Sequence, residues 1–77
     1  MQSPIYWSGN LPACVTCEEF FSIEEGTRMY DARTDQGPWA NMCTSCFHLG
    51  PGLGRTGPGF GQEYTRQANG RWLKTGG

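Results

Sequence analysis

Cys14-Val15-Thr16-Cys17 and Cys43-Thr44-Ser45-Cys46 are the two stretches around which the chain is organised. Each places two sulfurs on one tight turn, whose backbone N–H groups stabilise thiolates. Brought face to face, the two turns supply the four ligands of a tetrahedral zinc site, with Zn–S bonds of about 2.3 Å. The segment between them, Glu18 to Met42, is longer than the common zinc spacing and has room for a β-hairpin. One structural Zn²⁺ held by Cys14, Cys17, Cys43 and Cys46 is therefore the expected cofactor.

The same residues argue against other cysteine chemistry. A redox Cys-x-x-Cys needs a βαβ setting and a thiolate at a helix N-terminus, whereas this chain has two pairs and no such pattern. Haem attachment asks for His directly after the second Cys, and Cys46-Phe47-His48 is out of register by one residue. His48 is the only histidine. With four thiolates filling the tetrahedron, it is expected as a partly exposed ring beside the knuckle and not as a ligand. A catalytic zinc keeps an open position, and treble-clef nucleases bind a second metal through several histidines. Neither is available here, so no catalytic residue and no small-molecule substrate are expected.

Size makes a staple necessary. A chain of 77 residues forms one domain, and at that size only about 60 % of the unfolded surface is buried on folding. Twelve glycines, five prolines and a mean hydropathy of -0.57 leave few side chains for a core. Disulfides are the competing staple, but they need an oxidising compartment. Residues Met1 to Trp7 show no basic segment followed by an apolar run, and no stretch approaches the roughly 20 apolar residues of a membrane span. The expectation is a reduced, soluble, cytoplasmic protein without membrane association.

Charge is divided along the chain. Through Cys46, Arg28 and Arg33 stand against Glu18, Glu19, Glu24, Glu25, Asp31 and Asp35, a net −4. From Phe47 onward, Arg55, Arg66, Arg71 and Lys74 stand against Glu63, a net +3. An acidic metal half and a basic tail bear on partners and steering, not on fold.

Local patterns fill in the architecture. Residues 1–13 read as an extended lead-in whose Ile5, Tyr6, Trp7 and Leu11 pack on the zinc half. Phe20-Phe21-Ser22-Ile23 is an apolar run able to start a strand, and Glu24-Glu25-Gly26 is a turn. Thr27 to Ala32 alternates as a half-buried strand, with Met29 opposite to Arg28 and Tyr30. Thr34-Asp35-Gln36-Gly37-Pro38 turns the chain back through Trp39 to Met42 into the second cysteine pair. Thr44 and Ser45 cap a short helix through Leu49, which Gly50-Pro51-Gly52 stops.

Knuckle, hairpin and a helical turn bearing the second pair is the order of a treble clef; without the helix the same parts make a zinc ribbon. The expected fold is thus a small metal-stabilised domain, zinc ribbon or treble-clef-like. It is built mostly of β-hairpins, with one short helix and a long Gly-rich loop. Its parts are a zinc module at 1–49, a Gly/Pro-rich loop at 50–61 and a C-terminal hairpin at 62–77.

Six of the twelve residues from Gly50 to Gly61 are glycine, which reads as an adaptable connector. Gly52-Leu53-Gly54-Arg55-Thr56-Gly57 matches the dinucleotide motif by letter, but Pro58-Gly59 follows where a helix would have to open. In the tail, Asn69-Gly70 suits a type I′ hairpin that sets Gln67 opposite Trp72 and Arg66 opposite Leu73. Such a hairpin is marginal alone and must dock through Trp72, Tyr64 or Leu73. Arg55, Arg66, Arg71 and Lys74 interleave with Phe60, Tyr64 and Trp72. That makes these seven residues the candidate surface for a protein partner or, alternatively, for a single-stranded nucleic acid.

Gly37-Pro38-Trp39-Ala40-Asn41-Met42-Cys43-x-x-Cys46-Phe47, then Gly52-Leu53-Gly54 and Gly61-Gln62-Glu63-Tyr64, resemble a group of small bacteriophage-encoded four-cysteine zinc-finger proteins. The resemblance extends to the earlier Cys-x-x-Cys and to Tyr30-Asp31, and covers about residues 14–64. It implies a phage origin and a four-cysteine site, and assigns no activity. Together these readings point to a non-enzymatic zinc module that binds a protein partner, a host factor or a virion component. The alternative is a nucleic-acid-binding zinc finger that uses the basic aromatic tail.

Overall fold

A computed structural model describes residues 3–9 and 13–77; Leu11 lies outside them. Four strands, β1 (Arg28–Arg33), β2 (Trp39–Cys43), β3 (Gly61–Arg66) and β4 (Trp72–Gly76), form one antiparallel sheet in the order β2-β1-β3-β4. A single short helix, α1 (Thr44–Leu49), follows β2 directly. The fold is the expected small β domain with one helix and clustered cysteines.

β1 is central, and this changes its expected character. Alternation predicts a strand buried on one face, yet Met29 and Tyr30, on opposite faces, are both buried. The reason is that both faces are covered. Tyr30 stacks flat on Phe47 of α1, with ring centroids 3.9 Å apart and planes 8° apart. On the Met29 face, Trp7 meets Tyr64 edge-on at 5.7 Å and Phe21 meets Trp72 edge-on at 5.4 Å. Such aromatic pairs contribute about 0.5–1.5 kcal/mol each beyond the area they bury. Trp7 thus packs, but the lead-in lies on the C-terminal hairpin and not on the zinc half. Trp7 meets Tyr64, Tyr6 lies under Arg71 and Ile5 stays exposed, while the Trp7 indole Nε1 is buried with no acceptor.

Several local expectations give way to tertiary structure. Phe20 to Ile23 forms no strand; Phe20 makes only an isolated bridge to Ala13, and of this run only Phe21 is buried. In the tail hairpin, Gln67 N–H donates to Arg71 O at 2.8 Å, so Arg66 pairs with Trp72 and Thr65 with Leu73. The loop is therefore Ala68-Asn69-Gly70, with only Gly70 at positive φ (84°). A type I′ turn would need Asn69 there too; a three-residue loop ending in one left-handed glycine satisfies the same Asn-Gly signal. α1 begins at Thr44 with Cys43 as its N-cap and no side-chain capping bond, so neither Thr44 nor Ser45 is the cap.

The tail docks by pairing β3 with β1, Met29 opposite Tyr64, and buries Tyr64 and Trp72. The outer edge of β4 is covered in turn by the lead-in. Trp7 N–H donates to Trp72 O at 2.9 Å, and Lys74 N–H donates to Ile5 O at 2.7 Å. The glycine-rich segment is also tied down and not a free connector. Asp35 N–H donates to Pro51 O at 2.7 Å, and Arg33 N–H donates to Phe60 O at 2.9 Å.

Glu63 closes the helix-covered face of the sheet. Its carboxylate accepts the Tyr30 hydroxyl at 3.0 Å and the Thr75 hydroxyl at 2.7 Å, with the Arg28 guanidinium at 3.8 Å. Partial burial pushes its pKa up, but the hydrogen bonds from Thr75 and Tyr30 and the charge of Arg28 outweigh burial and hold it below the ordinary glutamate value. A carboxyl with a depressed folded pKa stabilises the fold above its unfolded value, and that contribution is lost as pH falls through the folded one. Glu63→Gln, which leaves one hydroxyl without its charged acceptor, is expected to cost about 1–2 kcal/mol at neutral pH. The difference from the parent chain should shrink in acid, as read by denaturant unfolding at pH 7 and below pH 4.

Candidate metal centre

The site joins two turns that the sheet brings together. In the first, Cys14-Val15-Thr16-Cys17, Glu18 N–H donates to Cys14 O and Cys14 N–H donates to Glu19 O, both at 2.9 Å. Closing that turn puts Glu18 at φ 64°, the one non-glycine residue with positive φ among those described. Val15 N–H donates to Asn41 O at 2.9 Å and so ties the turn to the edge of β2. The second pair straddles a junction: Cys43 ends β2 and Cys46 lies in the first turn of α1.

The four sulfurs lie within 4.8 Å of one another, and the Cys17 and Cys43 sulfurs are 3.8 Å apart. A regular tetrahedron with Zn–S bonds of about 2.3 Å has edges of about 3.8 Å. A disulfide would instead bring one pair to about 2.05 Å, and all four cysteines are free. The arrangement is that of a single structural metal site. Cys14 is buried and anchors the centre; Cys43 and Cys46 are half-buried against the core and Cys17 is exposed.

The thiols of Cys14, Cys46 and Cys17 respond differently to their surroundings. Burial opposes a charge on Cys14, but N–H groups of Cys17, Cys43 and Thr16 point at its sulfur and lower its pKa to about 7. The Cys43 amide is 3.3 Å from that sulfur. The Cys46 thiol is pushed strongly up, first by desolvation and then by the neighbouring sulfurs. For Cys17 the Glu19 amide favours the thiolate, yet desolvation and adjacent sulfurs raise the pKa on balance. Thiolates this close repel one another, and a divalent ion bound among them would remove that penalty.

His48 is exposed and stands outside the cluster, edge-on to Tyr30 at 5.7 Å and to Phe47 at 4.9 Å. The residues of the proposed binding surface differ in exposure: Arg55 and Arg71 are exposed, Phe60, Arg66 and Lys74 half-buried. Tyr64 and Trp72 are core residues, so their faces are closed to stacking with a base. Arg66 lies over the Trp72 ring at 4.6 Å and donates to Ser22 O at 2.8 Å. Arg71 lies over Tyr6 at 3.9 Å and Arg55 over Phe60 at 4.2 Å. Lys74 is half-buried on β4. Of these three arginine–ring stacks, Arg66 on Trp72 follows from the hairpin register, whereas Arg71 on Tyr6 joins the tail to the lead-in and carries no signal in sequence spacing.

Among the described residues no helix is long and apolar enough to cross a membrane. No family model, curated protein or solved structure matches the chain, so the reading of the four-sulfur centre rests on its own residues.

Proposed function

We propose that this chain is a non-enzymatic zinc-binding module whose metal-held platform binds a protein partner. The observation that carries the metal half of the reading is the four-cysteine cluster within 4.8 Å. Zinc is the ion that suits four thiolates in a tetrahedron without redox chemistry. Four protein ligands leave no open coordination position, which supports a structural and not a catalytic ion. If the chain is of phage origin, as the resemblance implies, the partner is a host factor or a virion component met in a reducing cytoplasm.

Nucleic-acid binding through the tail is the weaker reading. Single-strand binding relies on aromatic faces and mobile cations, and Tyr64, Trp72 and Arg66 are already committed within the fold. The test is paired. The zinc-loaded chain, immobilised and exposed to host lysate, should retain a specific protein identified by mass spectrometry. The same chain should show no salt-dependent affinity for single-stranded DNA or RNA at low ionic strength. Binding that falls steeply with salt and with Arg71→Ala would reverse the choice.

A further inference from the structure

We infer that the docking surface is not the basic tail but the acidic arm that follows the first cysteine turn, residues 15–25. This rests on the reading above that the module binds a protein. The arm presents Val15, Phe20 and Ile23 to solvent at 62 %, 82 % and 88 % exposure, although the domain has few apolar residues and places Phe21 of the same arm in its core. Singly exposed apolar side chains are ordinary, but several on one short segment mark an interaction site.

The charge around them selects the partner. Glu18, Glu19, Glu24 and Glu25 all lie on the arm and are exposed, and four thiolates about one divalent ion would add a net −2 beside it. Four carboxylates on the same short segment as the apolar anchors repel phosphate backbones and anionic lipid, and they steer toward a protein surface with an apolar pocket edged by Lys and Arg. Beside the arm lies an open groove of about 440 Å³, lined by Glu19 to Ser22 of the arm, by Arg28, its one cation, and by Cys43 to Ser45. A partner side chain entering that groove touches the segment that bears the second cysteine pair, beside the metal centre. The arm carries no regular strand hydrogen bonds beyond its bridge at Phe20; it is tied to the domain by the cysteine turn at its root, by Phe21 packed on Trp72 and by Arg66 donating to Ser22 O.

A synthetic peptide of alternating leucine and lysine, with an alternating leucine and glutamate peptide as control, serves as the probe. Added to the zinc-loaded, isotope-labelled full chain, the basic peptide should shift amide resonances of residues 15–25 and of Thr44 and Ser45; the acidic one should not. Phe20→Ser with Ile23→Ser should weaken that binding about tenfold or more, the loss expected for anchor side chains. Because both side chains are exposed, the variant's zinc content and spectrum should otherwise be unchanged. Shifts centred on the tail, equal response to the acidic peptide, binding to phosphatidylserine vesicles, or concentration-dependent broadening of the arm without peptide would each overturn the inference. In the lysate experiment, a partner retained by the double variant sinks the arm and spares the partner reading, whereas no partner for either chain sinks the partner reading.

Discussion

Cys14→Ser is expected to leave the chain unfolded at any zinc concentration, and chelation of the parent chain is expected to do the same. Even with its staple in place, a domain of this size has a net stability of only a few kcal/mol. Structural zinc contributes roughly 10–16 kcal/mol in comparable four-ligand peptides at neutral pH. The larger figure decides: without the ion, the free-energy balance favours the unfolded chain. Cys14 is the most costly ligand to lose because its sulfur is buried and accepts the Cys43 N–H, which would be left facing a weaker acceptor. Cys17, exposed at the rim, should be the mildest loss. Cys17→Ser should refold at high zinc with affinity reduced by orders of magnitude. Circular dichroism across a zinc titration checks the ranking, and equal loss for both variants would show that burial of Cys14 does not matter. Protons compete with the ion for the thiolates, so the midpoint for metal release should move to lower free zinc as pH rises.

Gly61→Ala is expected to be strongly damaging although it lies away from the metal. Gly61 opens β3 opposite Ala32 of the central strand, with φ 152°. A methyl there would collide with the Ala32 side chain, lie 2.7 Å from the Ala32 Cα and 3.0 Å from the Asp31 carbonyl oxygen. These are atoms of the most enclosed strand, with nowhere to move. Overpacking costs about 1–3 kcal/mol and the strained backbone about 1–3 more, enough together to exhaust the stability of a small domain. Gly59→Ala is the matched control: its φ of 80° is also positive, but a methyl there meets nothing within 4 Å. It should cost only about 1–2 kcal/mol. Thermal melts of the zinc-loaded variants separate the two; similar losses would mean that β3 does not press on β1 as described.

The metal centre was legible because ligand chemistry is local. Two Cys-x-x-Cys turns must meet around one ion, whatever the chain between them does. The β1–β2 hairpin followed from the turn at Thr34 to Pro38, and α1 from the Gly50-Pro51-Gly52 stop just past Leu49. What escaped was set at a distance. Nothing near Arg28 announces that β3 will pair with it from beyond a glycine-rich loop, so Met29 and Tyr30 could not both be assigned to the core. The Phe20 to Ile23 run looked like a strand because its composition suits one, yet only Phe21 finds Trp72, and its neighbours are left facing water. Asn69-Gly70 fits two loop lengths equally well, and a one-residue difference moved Trp72 from Gln67 to Arg66. In each case the local signal was real, and the tertiary partner chose among its meanings.

Native mass spectrometry of the purified full chain, before and after exhaustive chelation and with ion mobility to report its size, tests the central claim most directly. One zinc ion per chain and a compact ion that expands when the metal is stripped is the predicted result. A chain that carries no stoichiometric metal, or keeps its compact form once metal-free, would contradict the account.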